Sequence, residues 1–307
     1  MVPYMVTVIS KKWLLECFIL DNLSDFKKII NYLEISISNI IIFSKSNQWF
    51  NELSRKRFES YYAYLSIDAE FAHHTGEKVL EVGTGIGTDI VEYAKNGAIV
   101  SGIDLGSDQV ELTKLNLSVR NLEYDKITQA SAEELPFDNG SFDLVYSFGV
   151  LHHTPDTQKA VSEINRVLKD DGQAIVMLYA RGWKHYIKRC FIHGILLGKI
   201  FKYKFNWQKL YNDVSEVHGG SPKTDIYTRS QVKELFKDFS YIEIRKRRVG
   251  EFFEYKPYNS KKLPSFFLNV INLFGLESIV GENWLIKAYK SPKPETRSVI
   301  GVIFKNY

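Results

Sequence analysis

The chain has 307 residues, 45% hydrophobic and 25% charged, enough to bury one large core or two ordinary ones. Its formal charge of +4, from 40 basic and 36 acidic residues, gives little support by itself to a nucleic-acid or membrane partner. Two cysteines, Cys17 and Cys190, exclude a disulfide framework and a thiolate zinc site, imply no metal, and fit a reducing compartment.

The N-terminus has no basic segment before its apolar stretch and no small-residue cleavage site, so no signal peptide is expected. The longest apolar stretches, such as CFIHGILLGKIF at 190–201, fall well short of the roughly 20 residues of a bilayer crossing, and the cytoplasm is the default location. Residues 1–47 predict a small N-terminal appendage in which DFKKIINYLE (25–34) has helical spacing and ISISNIIIF (35–43) is β-branched like a strand. Residues 48–292 form the main domain, interrupted by an insert at about 181–226, and 293–307 are a loosely attached tail. From Trp49 to His74 the polar and aromatic pattern predicts one or two helices.

Apolar strands then alternate with helical stretches: KVLEVG (78–83), AIVSGIDL (98–105), KITQA (126–130), FDLVYSF (142–148) and QAIVMLYA (173–180), with helices at about 88–96, 107–120 and 157–168. Asp156 is placed to cap the last of these helices, and Asp170–Gly172 to supply the turn that ends it. SQVKELFKDF (230–239) reads as a further helix, with YIEIRKRRV (241–249) and NWLIKAYK (283–290) as two late strands. The prediction is an α/β fold with a seven-stranded, mostly parallel sheet covered by helices on both faces.

The stretch VLEVGTGIGTD (79–89) places a glycine turn and a helix N-terminus at the carboxyl end of the first strand, with open backbone N–H groups expected there. A pyrophosphate site prefers GxGxxG, but the position five after Gly83 is Thr88 and the third glycine comes early, at Gly87. That favours a nucleoside ligand without a pyrophosphate. Asp104 ends the second strand 21 residues after Gly83, where its two oxygens could accept both hydroxyls of a ribose. Glu81 sits inside an apolar strand and needs a partner, either the amino group of a ligand or the neighbouring backbone.

These segments, with SGIDLGSDQVELTK (101–114), SAEELPFDNGSFDLVYSFGVLHH (131–153) and EINRVLKDDGQAIVMLY (163–179), resemble the class I methyltransferases that use S-adenosylmethionine, in particular the small-molecule branch near the ubiquinone/menaquinone C-methyltransferases. The resemblance implies a Rossmann-like class I fold and S-adenosyl-L-methionine as cofactor. It implies that Glu81, Gly83, Thr84, Gly85 and Gly87 surround the methionine part and the ribose, and that Asp104 holds the ribose hydroxyls with Leu105 against the adenine. Ala132 would offer its N–H to the adenine ring, with Glu133 in the following turn. Many relatives have an aspartate where this chain has Ser131, whose hydroxyl accepts without charge assistance. Phe148 and Gly149 fall where cofactor and acceptor meet.

Methyl transfer from a sulfonium needs an acceptor aligned in line and water excluded, with no metal or covalent nucleophile. A base helps where the acceptor loses a proton, and His152 and His153 in LHHTPD (151–156) have that role or stand as a structural pair. Tyr61, Tyr62, Tyr146, Tyr179 and Arg181 are acceptor-side candidates by position, and His218 and Tyr227 flank a Gly-Gly-Ser-Pro turn that could reach over the site.

Residues 181–210 carry eight Lys or Arg and no Asp or Glu, interleaved with aromatics. They predict a lid over the substrate, a peripheral membrane contact or a solvated insert. Helical projection gives only a partial apolar stripe there. The leading expectation is methylation of a small-molecule or lipid-like acceptor by a monomer or homodimer. An RNA methyltransferase has no separate RNA-binding module here and SFGV instead of an NPPY-like motif, and a non-catalytic module fits the intact glycine run and Asp104 poorly.

Overall fold

The computed structural model describes residues 46–62, 64–182, 190–215, 223–247 and 282–292. The segment at 35–43, His218, the Gly-Gly-Ser-Pro turn and the tail at 293–307 lie outside these residues, as does the side chain of Tyr61. The chain divides after Glu52 into two units, and only residues 46–52 of the first are described.

Helix α1 (Asn47–Lys56) runs into a π-helical turn at Arg57–Tyr61, followed by the short α2 (Leu65–Asp68). The core then alternates β1 (Lys78–Val82), α3 (Thr88–Lys95), β2 (Ile99–Asp104), α4 (Ser107–Ser118), β3 (Lys126–Gln129), β4 (Phe142–Phe148), α5 (Thr157–Val167) and β5 (Leu168–Tyr179). A second π-turn at Cys190–Leu196, α6 (Lys199–Lys202) and α7 (Trp207–Ser215) make up the described insert. The chain returns through α8 (Arg229–Leu235), β6 (Tyr241–Arg247) and β7 (Asn283–Tyr289).

The seven strands lie in the order β3-β2-β1-β4-β5-β7-β6, parallel except for β7, which is antiparallel to both its neighbours. Because β1, β4 and β5 are covered on both faces they read as nearly continuous apolar runs, and the pleat divides their side chains between two cores. Leu80, Val82, Val145 and Val176 pack with Ala160, Val161 and Ile164 of α5 on one face. Val79, Leu144, Tyr146 and Ile175 pack with Ile90, Val91 and Tyr93 of α3 on the other, together with Leu65 of α2.

Helix α5 begins where expected, with Asp156 Oδ1 accepting from Lys159 N at 3.0 Å. Its end differs from the expected turn. The chain passes from Val167 straight into β5, and the register jumps from Phe142↔Leu168 to Leu144↔Gln173, so Asp170–Gly172 form a bulge within the strand. The carboxyl pair can read as a turn in sequence because it is exposed at the bulge.

Candidate functional site

The strand order reverses between β1 and β4, and open α/β sheets bind ligands in the crevice at such a point. The two loops that leave it meet closely: a Cβ on Gly83 would lie 2.3 Å from Val150 Cγ2, and Gly83 has φ +84°, so only glycine fits. The open N–H groups expected of the loop are absent at four positions. Gly83 N and Thr84 N donate to Ile103 O at 2.8 and 3.0 Å, Gly85 N to Asp104 Oδ2 at 2.8 Å, and Gly87 N to Thr84 O at 2.8 Å. With these donors engaged inside the protein, the loop is a poor phosphate cradle, which agrees with a nucleoside ligand lacking a pyrophosphate. A Cβ on Gly85 would meet nothing within 4 Å, so this part of the loop faces open space.

Thr84 is buried with its hydroxyl on Thr113 Oγ1 at 3.0 Å, a contact that shapes the loop. Thr113 and Asn116 of α4 reach it from one side, Asn116 Nδ2 donating to Ile86 O at 2.8 Å. Sequence reasoning missed both. The signal was two polar residues one helical turn apart on a face that otherwise points inward.

Glu81 is 3% exposed, and its Oε2 has no hydrogen-bond partner. Burial, and then the charge of Asp89, push its carboxyl well above the usual range, while Arg57 and the Ile90 backbone N–H pull the other way. Arg57, from the π-turn after α1, forms a two-pronged pair with Asp89, which also accepts from Tyr146 OH at 2.7 Å. Burial alone would lower the Arg57 pKa, and Asp89 more than reverses this. The guanidinium lies 5.0 Å from the centroid of Phe148 and 5.2 Å from that of Tyr62. Glu81 thus feels two acidic groups, Asp89 and Asp104, against the one cation Arg57, which Asp89 already pairs, an acidic balance suited to a cationic ligand.

Asp104 accepts from Gly85 N and from Gly106 N at 3.0 Å, which fixes its carboxylate at the end of β2 and leaves acceptor capacity on both oxygens. Leu105 beside it is 74% exposed. Ser131 Oγ accepts from Glu133 N at 3.2 Å, Ala132 is buried, and Glu133 Oε1 accepts from Asp156 N at 2.6 Å, tying this turn to the start of α5.

On the other side of the crevice Phe148 packs edge-on against Tyr62 at 4.9 Å. Tyr146 is fully buried in the Asp89 network. His152 is fully buried, its ring 3.9 Å from that of Tyr179 and 4.2 Å from that of His153. His153 is half-buried, with Nδ1 3.0 Å from Lys223 O; a carbonyl only accepts, so Nδ1 carries the proton and Nε2 is the basic nitrogen. The returning segment holds this loop: Asp225 N donates to His152 O at 2.9 Å, Lys223 Nζ to Pro155 O at 2.7 Å, and Tyr227 OH to Thr157 Oγ1 at 2.9 Å. Arg181 is exposed, and its backbone N–H bonds to Tyr227 O at 2.8 Å.

One residue unforeseen from the sequence stands next to this cluster. Asn283 is paired with Tyr179 across the β5–β7 ladder, which puts both side chains on one face of the sheet. It is fully buried, and neither its Oδ1 nor its Nδ2 has a hydrogen-bond partner. Such a group costs about 1–3 kcal/mol where nothing satisfies it.

Residues 80–176 match the family model described as a methyltransferase domain. An uncharacterized protein of Methanocaldococcus jannaschii, MJ1252, is 31% identical over 57% of this chain and 61% of its own length. A ubiquinone biosynthesis O-methyltransferase of Pseudomonas fluorescens is 36% identical over 36% of this chain and 48% of its own. YcgJ of Bacillus subtilis, an uncharacterized methyltransferase, is 32% identical over 33% of this chain and 40% of its own length. Its crystal structure superposes with a TM-score of 0.50 at 18% identity, covering 75% of this chain and 99% of that one. The matched stretches span 40% to 61% of these curated relatives. Strand order and family match together show a class I S-adenosylmethionine-dependent methyltransferase domain with the corresponding Rossmann-like fold.

Proposed function

We propose that this protein is an enzyme that transfers a methyl group from S-adenosylmethionine to a small-molecule or lipid-like acceptor. The observation that carries the reading is the glycine loop. Its N–H groups are engaged internally while the buried Glu81 Oε2 has no partner, which fits a nucleoside bearing positive charge better than one bearing phosphates. Glu81 would take the ammonium group of the methionine part, Asp104 the ribose hydroxyls, and the exposed Leu105 the adenine face, with Ser131 and Ala132 at its edge. When bound, the cofactor supplies the methyl group and its own leaving group.

The residues of this chain position the acceptor and keep water out. Phe148 and Tyr179, at the carboxyl ends of β4 and β5, line the acceptor side with Asn283, which starts β7 opposite Tyr179 and can both donate to and accept from an uncharged polar group. Where the acceptor loses a proton, His153 Nε2 is the better-placed base, since its tautomer is set and its ring is partly exposed. The likeness to the ubiquinone O-methyltransferase supports a small aromatic or quinone-like acceptor. The cysteine usage supports a reducing compartment such as the cytoplasm, and the near balance of charge gives little support to a nucleic-acid partner.

The test is a panel of hydroxyl, amine and acidic-carbon acceptors incubated with methyl-labelled S-adenosylmethionine. Label in a low-molecular-weight or lipid fraction is the expected result, and label incorporated into RNA would overturn the choice of acceptor.

A further inference from the structure

The large apolar side chains left exposed among the described residues are concentrated in one place. Of eleven, six fall between 191 and 207: Phe191, Ile195, Leu197, Phe201, Phe205 and Trp207. A patch of this kind marks an interaction surface. The π-turn at Cys190–Leu196, α6 and α7 pack on one another with Ile200, Leu210 and Tyr211 turned inward. The packing is close: a Cβ on Gly194 would lie 2.8 Å from Leu210 Cδ2 and 2.9 Å from Trp207 Cζ3. With the inner side filled, the outer side chains have nowhere in the hairpin to go. Lys204 and Phe205 have φ of 48° and 62°, the left-handed region that side chains disfavour. This turn holds Phe205 outward, 63% exposed and edge-on to Phe201 at 5.4 Å.

The charge around the patch is mostly positive. Lys199, Lys202, Lys204 and Lys209 are all exposed around these apolar groups, and residues 181–210 contain no acid. Asp213 of α7 is 3.6 Å from Lys199 and its charge also reaches Lys202, which leaves Lys204 and Lys209 clear of it and the group basic in balance.

We propose that this face docks on an anionic lipid bilayer, with Phe201 and Phe205 at the boundary of headgroups and acyl chains and the lysines on lipid phosphates. The occupant follows from the mixture. Aromatic side chains with lysines beside them suit an interface that is apolar below and negative above. A second copy meeting the same patch across a two-fold axis would set these lysines against their own counterparts. No described helix is long and apolar enough to cross a membrane, so the contact is peripheral. The inner side of the hairpin leads to the candidate site: Tyr211 packs with Tyr179 and Ile226, and Tyr179 stacks on His152. On the proposed function, docking therefore brings the acceptor side close to the bilayer.

The test is co-sedimentation of the full chain with phosphatidylglycerol–phosphatidylcholine vesicles and with pure phosphatidylcholine vesicles, at low and high salt. Binding to the anionic vesicles that weakens with salt is expected. Phe201→Ser with Phe205→Ser should lower the partition coefficient roughly tenfold or more while leaving the melting temperature unchanged. Lys202→Glu with Lys204→Glu should lower it by at least about fivefold for each lysine. Wild-type protein that stays in the supernatant at low salt would overturn the proposal. So would a double phenylalanine variant that sediments like the wild type, or one that only converts a dimer to a monomer. S-adenosylmethionine binding measured on the same preparations without vesicles reports separately on the methyltransferase reading.

Discussion

The donor side and the acceptor side of this molecule handle their polar and apolar groups in opposite ways. Around the glycine loop the backbone N–H groups of Gly83, Thr84, Gly85 and Gly87 are satisfied within the fold, and α4 pins the loop through Thr113 and Asn116. What is left over is a single carboxylate oxygen of Glu81 and an excess of negative charge. Beyond β5 the insert leaves aromatic side chains and lysines exposed, and beside it Asn283 is buried with no partner. A rigid pocket with one unmet demand suits one fixed ligand, while a surface with many unmet demands suits a variable acceptor delivered from elsewhere. The difference explains why the cofactor is so much better defined than what it methylates.

The largest expected effect tests the rigidity of the donor side. Arg57→Ala leaves Asp89 buried without its cation and should cost about 3–5 kcal/mol of stability, read by urea denaturation. A loss below about 1 kcal/mol would mean that the pair does not hold the region after α1 onto α3.

Glu81→Gln separates stability from binding. The folded Glu81 carboxyl titrates above its ordinary value of 4.5, so the native state binds more protons than the unfolded one, and stability falls as pH rises through the interval between the two. Removing the ionisable group should therefore raise stability at neutral pH by about 1–3 kcal/mol while weakening the cofactor by about tenfold. A variant that loses both would place Glu81 among the purely structural residues.

Asn283→Leu carries the comparison to the acceptor side. Replacing the unpartnered amide should be neutral or stabilising by about 1 kcal/mol, with cofactor affinity unchanged and the acceptor KM raised. An unchanged KM would remove Asn283 from the acceptor site.

The smallest effect concerns the support beneath both sides. Glu70 bonds Lys287 and Gln173, and His74 pairs with Glu77 at 2.7 Å and lies 3.7 Å from Glu70. Against burial, which raises it, the nearby His74 ring and the hydrogen bond from Lys287 lower the Glu70 carboxyl to about 2. Its contribution is present above 4.5 and is lost as pH falls toward about 2. Against burial, which lowers it, the nearby Glu70 carboxylate and the hydrogen bond to Glu77 raise His74, so its contribution is full below 6.5 and is lost as pH rises through the raised value. The contribution of this cluster should pass through a plateau between these limits, superimposed on the fall due to Glu81, and His74→Asn should lessen the alkaline decline by roughly 1 kcal/mol in a comparison of melting curves with the wild type.

The same contrast governs how much could be read from the sequence. The central strands were legible because strands buried on both faces are apolar nearly throughout, and the loop because its glycines lie beside Asp104 at a recognisable distance. Arg57 with Asp89, and Asn283 with Tyr179, were not, because these partners are far apart in sequence and each residue alone looks ordinary. The bulge at Asp170–Gly172 has the composition of a turn. In the insert the apolar residues follow two short helical turns and a left-handed reversal, so no single period could gather Phe191, Ile195, Phe201 and Phe205 on one side.

The most direct measurement is calorimetric titration of S-adenosylmethionine into the wild-type protein and into Asp104→Ala. The wild type should bind one equivalent, and the variant, folded to the same extent, should bind about 100-fold more weakly from the loss of two charge-assisted hydrogen bonds. A folded wild-type protein that binds no S-adenosylmethionine would contradict the account.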